Sequence, residues 1–229
     1  MKPETYVQYS LIFDRFSSEK LFPAQRKFID NNVKYSDFNS KIIELGGGSA
    51  YYTKKFLNSV SSRNYTFVEL SKDMIAIAKK RLPRYVKVLN DDALSAIETL
   101  KVKQSLFVFQ RSLYSFYGSI EEYRPLVKAI YKNAQDGAVV AISEMVEQYD
   151  LKQLYDYFYA NRNLLGLEKD EDFSRDWKIL EDVLNEYNYN VKNGVFTHLS
   201  ESNLKPLFES EGFKLIETFD TNFYFQKIN

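Results

Sequence analysis

The stretch Ile42-Ile43-Glu44-Leu45-Gly46-Gly47-Gly48-Ser49-Ala50 decides how the rest of the chain is read. Lys41–Leu45 reads as a buried strand. It runs into three glycines, and a helical pattern follows from about Tyr51 to Val60. A strand that ends in glycines and opens a helix lets backbone approach a ligand closely. The spacing departs from the G-x-G-x-x-G turn of nicotinamide-binding sites. Counting from Gly46 the sixth position is Tyr51, and from Gly47 it is Tyr52; neither replaces the glycine that lets helix and strand pack. Glu44 would repel a pyrophosphate, and it suits a ligand that carries a cation.

Outward from this turn, short apolar runs alternate with helical ones. Tyr65–Leu70, Tyr85–Leu89, Leu106–Gln110 and Ala138–Ser143 read as strands; Lys72–Leu82, Ala93–Leu100 and Ile120–Ala134 read as helices, with Asp136-Gly137 as a turn. In Lys72–Leu82 the residues Met74, Ala78 and Leu82 share a face, and Pro83 stops the helix. An earlier helix spans about Phe22–Val33, with Pro23 near its start. This alternation implies βαβ units and a parallel sheet. It breaks at 147–196, where two helical patterns flank the acidic run Glu168-Lys169-Asp170-Glu171-Asp172, read as a solvated loop. A helix Ser200–Glu211, closed by Gly212, leads to strands Phe213–Phe219 and Phe223–Ile228. Their short connection forces an antiparallel pair. The expected fold is α/β, a doubly wound seven-stranded Rossmann-like sheet, mostly parallel with an antiparallel last strand, plus a helical insert.

Composition narrows function by exclusion. The 229 residues suit a single domain. Lys plus Arg is 31 and Asp plus Glu is 31, so no global field attracts nucleic acid or an anionic membrane. With no cysteine and one histidine, thiolate and multi-histidine metal sites are excluded, and no metal is expected. The N-terminus lacks an apolar run, so the expected address is cytoplasmic. The 18 Phe suit a core and the 18 Tyr suit pocket walls with one apolar face and one polar tip, although a codon bias explains the aromatics equally well.

The glycine turn and three later segments resemble the class I S-adenosylmethionine-dependent methyltransferases of small molecules. Glu44, Gly46 and Gly48 match the first motif, an acid two residues before a G-x-G-x-G turn; Ala50 replaces the last glycine. Glu69 ends the second strand 25 residues after Glu44. The resemblance implies that Glu44 acts on the cofactor's ammonium, that Gly46, Gly47 and Gly48 pass beneath its methionine moiety, and that Glu69 accepts both ribose hydroxyls. Leu70 and Met74 would sandwich the adenine, with a core role equally open for Met74. In Asn90-Asp91-Asp92-Ala93, Asp92 and Ala93 would read the adenine edge and Asp91 would start the helix, the two acids being exchangeable. Gln110 and Arg111 would border the cofactor, and Tyr114 would face the acceptor.

Four further expectations concern a lid, a partner for the cofactor carboxylate, a general base and the insert. Tyr9 and Phe13 resemble an N-terminal lid segment, within residues 1–40, that folds over a bound sulfonium. Arg26 is a candidate partner of the cofactor carboxylate, against the plainer reading of a surface residue. His198 and Glu144 are candidate general bases, although methyl transfer runs largely on proximity and orientation. The 147–196 insert would overhang the acceptor as a substrate cap, with self-association in a homodimer as its alternative role. The expected reaction is methyl transfer from S-adenosyl-L-methionine, leaving S-adenosyl-L-homocysteine, to an oxygen or nitrogen of a small molecule. A peptide or protein acceptor, or a non-catalytic cofactor-binding role, are the alternatives.

Overall fold

A computed structural model describes Ile12, residues 14–16, 21–60 and 62–228. Seven strands form one sheet in the order β3-β2-β1-β4-β5-β7-β6. They are β1 (Lys41–Leu45), β2 (Asn64–Glu69), β3 (Lys87–Asn90), β4 (Gln104–Gln110), β5 (Ala134–Ser143), β6 (Phe213–Phe219) and β7 (Asn222–Lys227). β7 pairs antiparallel with both β5 and β6. The remaining pairings are parallel.

The helices are α1 (Pro23–Lys34), α2 (Tyr51–Ser59), α3 (Lys72–Arg81), α4 (Ala93–Glu98), α5 (Arg124–Asn133), α6 (Leu151–Ala160), α7 (Asp170–Lys192) and α8 (Glu201–Glu209). Alternation along the central strands sends side chains to two cores. Ile42, Leu106 and Val108 pack under α1, α2 and α3 with Phe28, Phe56 and Ala78. Ile43, Phe107 and Phe109 pack under α4, α5 and α8 with Ile97, Ile130 and Phe208. Each fully buried Leu, Ile or Phe contributes about 1.5–3 kcal/mol, so β1 and β4 anchor the fold.

Local chemistry sets the helix ends. The Met74 backbone N–H donates to Ser71 Oγ at 3.3 Å, capping α3, whose last turn carries Lys79, Lys80 and Arg81 where the helix dipole favours cations. Ser200 and Asn203 form a reciprocal capping box at the start of α8.

Two sequence expectations are corrected. Asp136-Gly137 is no turn between helix and strand: β5 begins at Ala134, and the register with β4 shifts between Gln104 and Leu106, next to Gly137 in the left-handed region at φ 75°. An irregularity in the ladder, with Ala134 opposite Gln104 and Val139 opposite Leu106, absorbs the residues that read as a turn. The acidic run is only in part a loop: Glu168 and exposed Lys169 precede α7. Asp170, Glu171 and Asp172 form the first turn of α7, where carboxylates complement the helix dipole.

The insert has its own apolar cluster. Phe158 from α6 and Phe173, Trp177, Leu180 and Leu184 from α7 enclose Phe16 and Leu21. The Phe16 ring meets Phe158 edge-on with centroids 4.9 Å apart. Phe16, and Arg15 through its pairing with Asp176 of α7, therefore join the insert although they lie far from it along the chain.

Candidate functional site

The strand order reverses between β1 and β4, and a cavity of about 740 Å³ opens at the carboxyl ends of β1, β2 and β4. That is the crevice where open α/β sheets bind ligands. Four short runs supply most of its wall: 44–52, 68–74, 91–93 and 110–117.

The glycine turn shapes the floor. Gly46 has φ 70°, and a Cβ there would stand 2.7 Å from Ser112 Cβ. A Cβ on Gly47 would stand 2.1 Å from the Phe67 ring. A Cβ on Gly48, at φ 56°, would meet nothing within 4 Å among the described residues, and Gly48 lines the cavity. Ala50 adopts φ 59° and ψ 27° at the start of α2, so the residue departing from the glycine pattern holds a left-handed conformation that costs a non-glycine residue about 1–2 kcal/mol.

Both strand-end acids are held in place. Glu44 is buried, and its Oε2 accepts from Thr53 Oγ1 at 2.6 Å and from the Tyr65 hydroxyl at 2.8 Å. Burial pushes its carboxyl up to about 7; the two hydrogen bonds oppose the rise and the charge of Glu69 adds to it. Glu69 Oε2 accepts from the Gly48 N–H at 2.9 Å and its Oε1 from the Ser71 N–H at 2.7 Å. Each oxygen keeps a second lone pair, so the carboxylate is oriented yet still able to accept.

The apolar side is also cavity-facing. Leu70 lines the cavity with 69% of its surface exposed, and Met74 lines it from a buried position. Asp91, Asp92 and Ala93 line the far end. Here the structure reverses a detail. Asp92, not Asp91, starts the helix: its Oδ1 accepts from the Ser95 N–H at 3.0 Å as the N-cap of α4, which holds its carboxyl below the usual range. The Asp92 N–H in turn donates to Asp91 Oδ1 at 2.9 Å. Both acids border the cavity.

Gln110, Arg111 and Tyr114 line the cavity from the end of β4. Arg111 sits at φ 52°, its N–H donating to the Ser143 carbonyl at 2.7 Å. Its guanidinium lies 5.6 Å from the Phe22 ring centre. Gln110 is hydrogen-bonded to the buried Gln25 amide of α1. With the Gln25 amide turned over, its oxygen instead accepts from Arg111 Nε and Nη2, each at 2.9 Å, and its nitrogen faces the Gln110 amide.

Other expected residues are not brought here. Arg26 is exposed on α1 and does not line the cavity, because α1 buries the face carrying Gln25, Phe28 and Ile29 instead. His198 lies outside the lining too. The capping of α8 holds it beside the wall, its carbonyl accepting from Asn203 Nδ2 at 2.8 Å and its Nδ1 buried without a hydrogen-bond partner among the described residues. Glu144 lines a different, smaller cavity. Tyr9 and Phe13 lie outside the described residues.

Residues that sequence reasoning passed over complete the site. Asp14 borders the cavity and accepts from Ser49 Oγ at 2.9 and 2.8 Å and from Arg81 Nη1 at 2.6 Å. Arg81 also donates to the Ser49 carbonyl at 3.1 Å, so one guanidinium of α3 ties residue 14 to the glycine turn. Burial raises the Asp14 carboxyl, against the pull of Arg81 and Ser49. Tyr51, Tyr52, Phe116 and Tyr117 add aromatic wall. Tyr51 and Tyr52 were legible as the first helical residues after the glycines; Asp14 carried no local signal.

The lining fits a cofactor with a cationic amino-acid end, a diol and a flat apolar ring. Two carboxylates stand at the ends of adjacent strands, Gly48 leaves a backbone cradle open, and Leu70 offers apolar surface.

The comparisons with known proteins agree on architecture. No protein-family model matches the chain. It is 29% identical over 89 residues, 38% of its length, to the ribosomal RNA small subunit methyltransferase A of Pelagibacter ubique (strain HTCC1062). That match spans about a third of the relative, 34% of its length. Among solved structures, it is similar to the N-methyltransferase NodS from Bradyrhizobium japonicum WM9 in complex with S-adenosyl-L-homocysteine, with a TM-score of 0.57 and 10% identity over 97% of this chain and 99% of that one. It is also similar to the magnesium protoporphyrin IX methyltransferase of Synechocystis PCC 6803 with the same product bound, with a TM-score of 0.54 and 8% identity over 96% and 85%. Sheet order, the strand-end cavity and these likenesses give the chain the fold of the class I S-adenosylmethionine-dependent methyltransferases.

Proposed function

We propose that the protein transfers a methyl group from S-adenosyl-L-methionine to an oxygen or nitrogen of a small-molecule acceptor, as a single domain over 1–229 with an N-terminal lid in 1–40 and a substrate cap in 147–196. The observation that carries the reading is Glu69, fixed by two backbone N–H groups at the end of β2 with lone pairs to spare. A diol requires two acceptors at a set spacing, and this carboxylate arrives already oriented.

When bound, the cofactor supplies a methyl group on an activated sulfonium. The rest is done by the chain. Glu44, held by Thr53 and Tyr65, accepts an ammonium. Leu70 and Met74 clasp a planar base, and Asp91, Asp92 and Ala93 meet its edge. Tyr114 and Tyr117 wall the acceptor side and exclude water. Fixing two reactants in line supplies much of the rate of such a displacement. Glu144 is the better-placed of the two general-base candidates, since Arg111, which borders the large cavity, also borders the one that Glu144 lines.

A small acceptor is favoured by the size of the cavities, about 740 and 370 Å³, and by the small-molecule acceptor named for the porphyrin enzyme of the same fold. Calorimetric titration with S-adenosyl-L-homocysteine tests the reading: saturable binding is expected, and no heat at high micromolar ligand would sink it.

A further inference from the structure

A second cavity of about 370 Å³ lies between the end of β5 and the insert. Phe22, Val146, Leu154, Phe158, Leu180 and Leu184 make its walls largely apolar. Glu144 lines it at 1% exposure, and neither carboxyl oxygen has a hydrogen bond of ordinary geometry among the described residues.

That sets Glu144 apart from the other buried acids. Glu44 is satisfied by Thr53 and Tyr65, Glu69 by Gly48 and Ser71, and Asp176 by Arg15 and Arg175. Neighbouring phenols do not serve Glu144. The Tyr149 hydroxyl donates to Met145 Sδ at 3.2 Å, that of Tyr187 to the Val146 carbonyl at 2.7 Å, and that of Tyr123 to the Leu113 carbonyl at 2.6 Å. An unsatisfied buried polar group costs about 1–3 kcal/mol, more for a charge, and its survival calls for a ligand or a role.

The charge around it selects the ligand. Exposed Asp150 and Asp220 also line the cavity, so three acidic residues and one basic residue, Arg111, border it. Gln25 and the Phe22 ring already engage the Arg111 guanidinium.

We propose that this cavity seats the acceptor, and that the acceptor is an amine on an apolar body whose ammonium pairs with Glu144. The word acceptor rests on the methyltransferase reading; the amine selectivity of the cavity does not. Arg111 lines both cavities, so a ligand held here lies one side chain from the larger one. Burial pushes the Glu144 carboxyl up to about 8, opposed by the backbone N–H groups of Met145, Tyr114 and Leu113 and by Arg111. Pairing with an ammonium at neutral pH therefore ionises it and releases a proton.

The test uses benzylamine, phenethylamine and 4-phenylbutylamine with the matching alcohols, titrated calorimetrically with and without S-adenosyl-L-homocysteine in two buffers of different ionisation enthalpy. At least one amine should bind about tenfold more tightly than its alcohol, with proton release, as a charge-assisted pair requires. Glu144→Gln should abolish both the preference and the proton release while homocysteine-product affinity stays. Leu154→Trp, which fills the cavity, should abolish amine binding by a route independent of the carboxyl. Equal binding of amine and alcohol, a preference surviving in Glu144→Gln, or no binding by any amine overturns the proposal. Amine selectivity without product binding removes the methyltransferase reading alone, and product binding without amine selectivity removes this inference alone.

Discussion

The two cavities are built in opposite ways. The larger takes its wall from four short runs, each following a strand end. The smaller gathers residues 16, 22–25, 111, 144–154, 158, 180–184 and 220–221 from across the chain. In the larger, the acids are held by neighbours: Glu69 by backbone 21 and 2 residues away. In the smaller, Glu144 makes no hydrogen bond of ordinary geometry among the described residues. A site at strand ends inherits its geometry from the sheet, whereas a site between layers exists only once the layers pack.

The contrast can be broken most forcefully at Gly47. Gly47→Ala pushes a methyl into the buried Phe67 ring, and overpacking of this kind should destabilise the protein by about 3 kcal/mol in denaturant unfolding. Phe67→Leu in the same chain should recover part of the loss. An unchanged unfolding midpoint for Gly47→Ala would mean that the turn is not packed as described.

Next in size is Glu69→Ala, expected to weaken binding of S-adenosyl-L-homocysteine by about 100-fold, since hydrogen bonds to a charged acceptor are worth about 1.5–3 kcal/mol each. The far-ultraviolet circular dichroism should not change. Unaltered affinity would remove Glu69 from the site.

The smaller cavity is probed through pH. With its carboxyl raised from 4.5 to about 8, Glu144 binds its proton more tightly folded than unfolded. Its stabilising share is fully present below about pH 4.5 and is lost as pH rises toward 8. Glu144→Gln does not ionise, so relative to the parent it should gain roughly 1 kcal/mol between about pH 6 and pH 7. A difference in stability that is flat across that window would show that the carboxyl is not buried as described.

Asp14 joins the two regions, because residue 14 meets the glycine turn and residue 16 the insert. Asp14→Ala should weaken product binding by only a few-fold, roughly the 1 kcal/mol of a partly exposed ion pair and its hydrogen bonds. Smallest of all is Ala50→Gly. Relief of the left-handed backbone, about 1–2 kcal/mol, is offset by a lost buried methyl and by glycine's greater chain entropy. Unfolding should shift by less than about 1 kcal/mol; a larger gain would mark the alanine as a cost retained for another reason.

Much of the larger cavity was legible. Glu44, Gly46 and Glu69 are strand-end residues at spacings that a parallel sheet imposes. The acids after β3 were legible as a pair but not in their division of labour, because an N-cap is decided by backbone dihedrals at one residue. The acidic run was legible as solvated but not as the start of α7, because a solvated loop and the first turn of a helix want the same side chains. Arg26 and His198 carried the chemistry of a site but not its position; which face of α1 turns inward depends on packing against the sheet.

From the chain alone came the alternation of strands and helices, the seven-stranded sheet and the acid–glycine turn. These follow from side-chain period and glycine's backbone freedom, which act over a few residues. Tertiary structure decided what lies between layers: the burial of Glu144 under the insert, the pairing of Arg15 with Asp176 across 161 residues, and the arrival of Asp14 beside Ser49. Burial and long-range pairing belong to the packing of whole elements, so no local pattern records them.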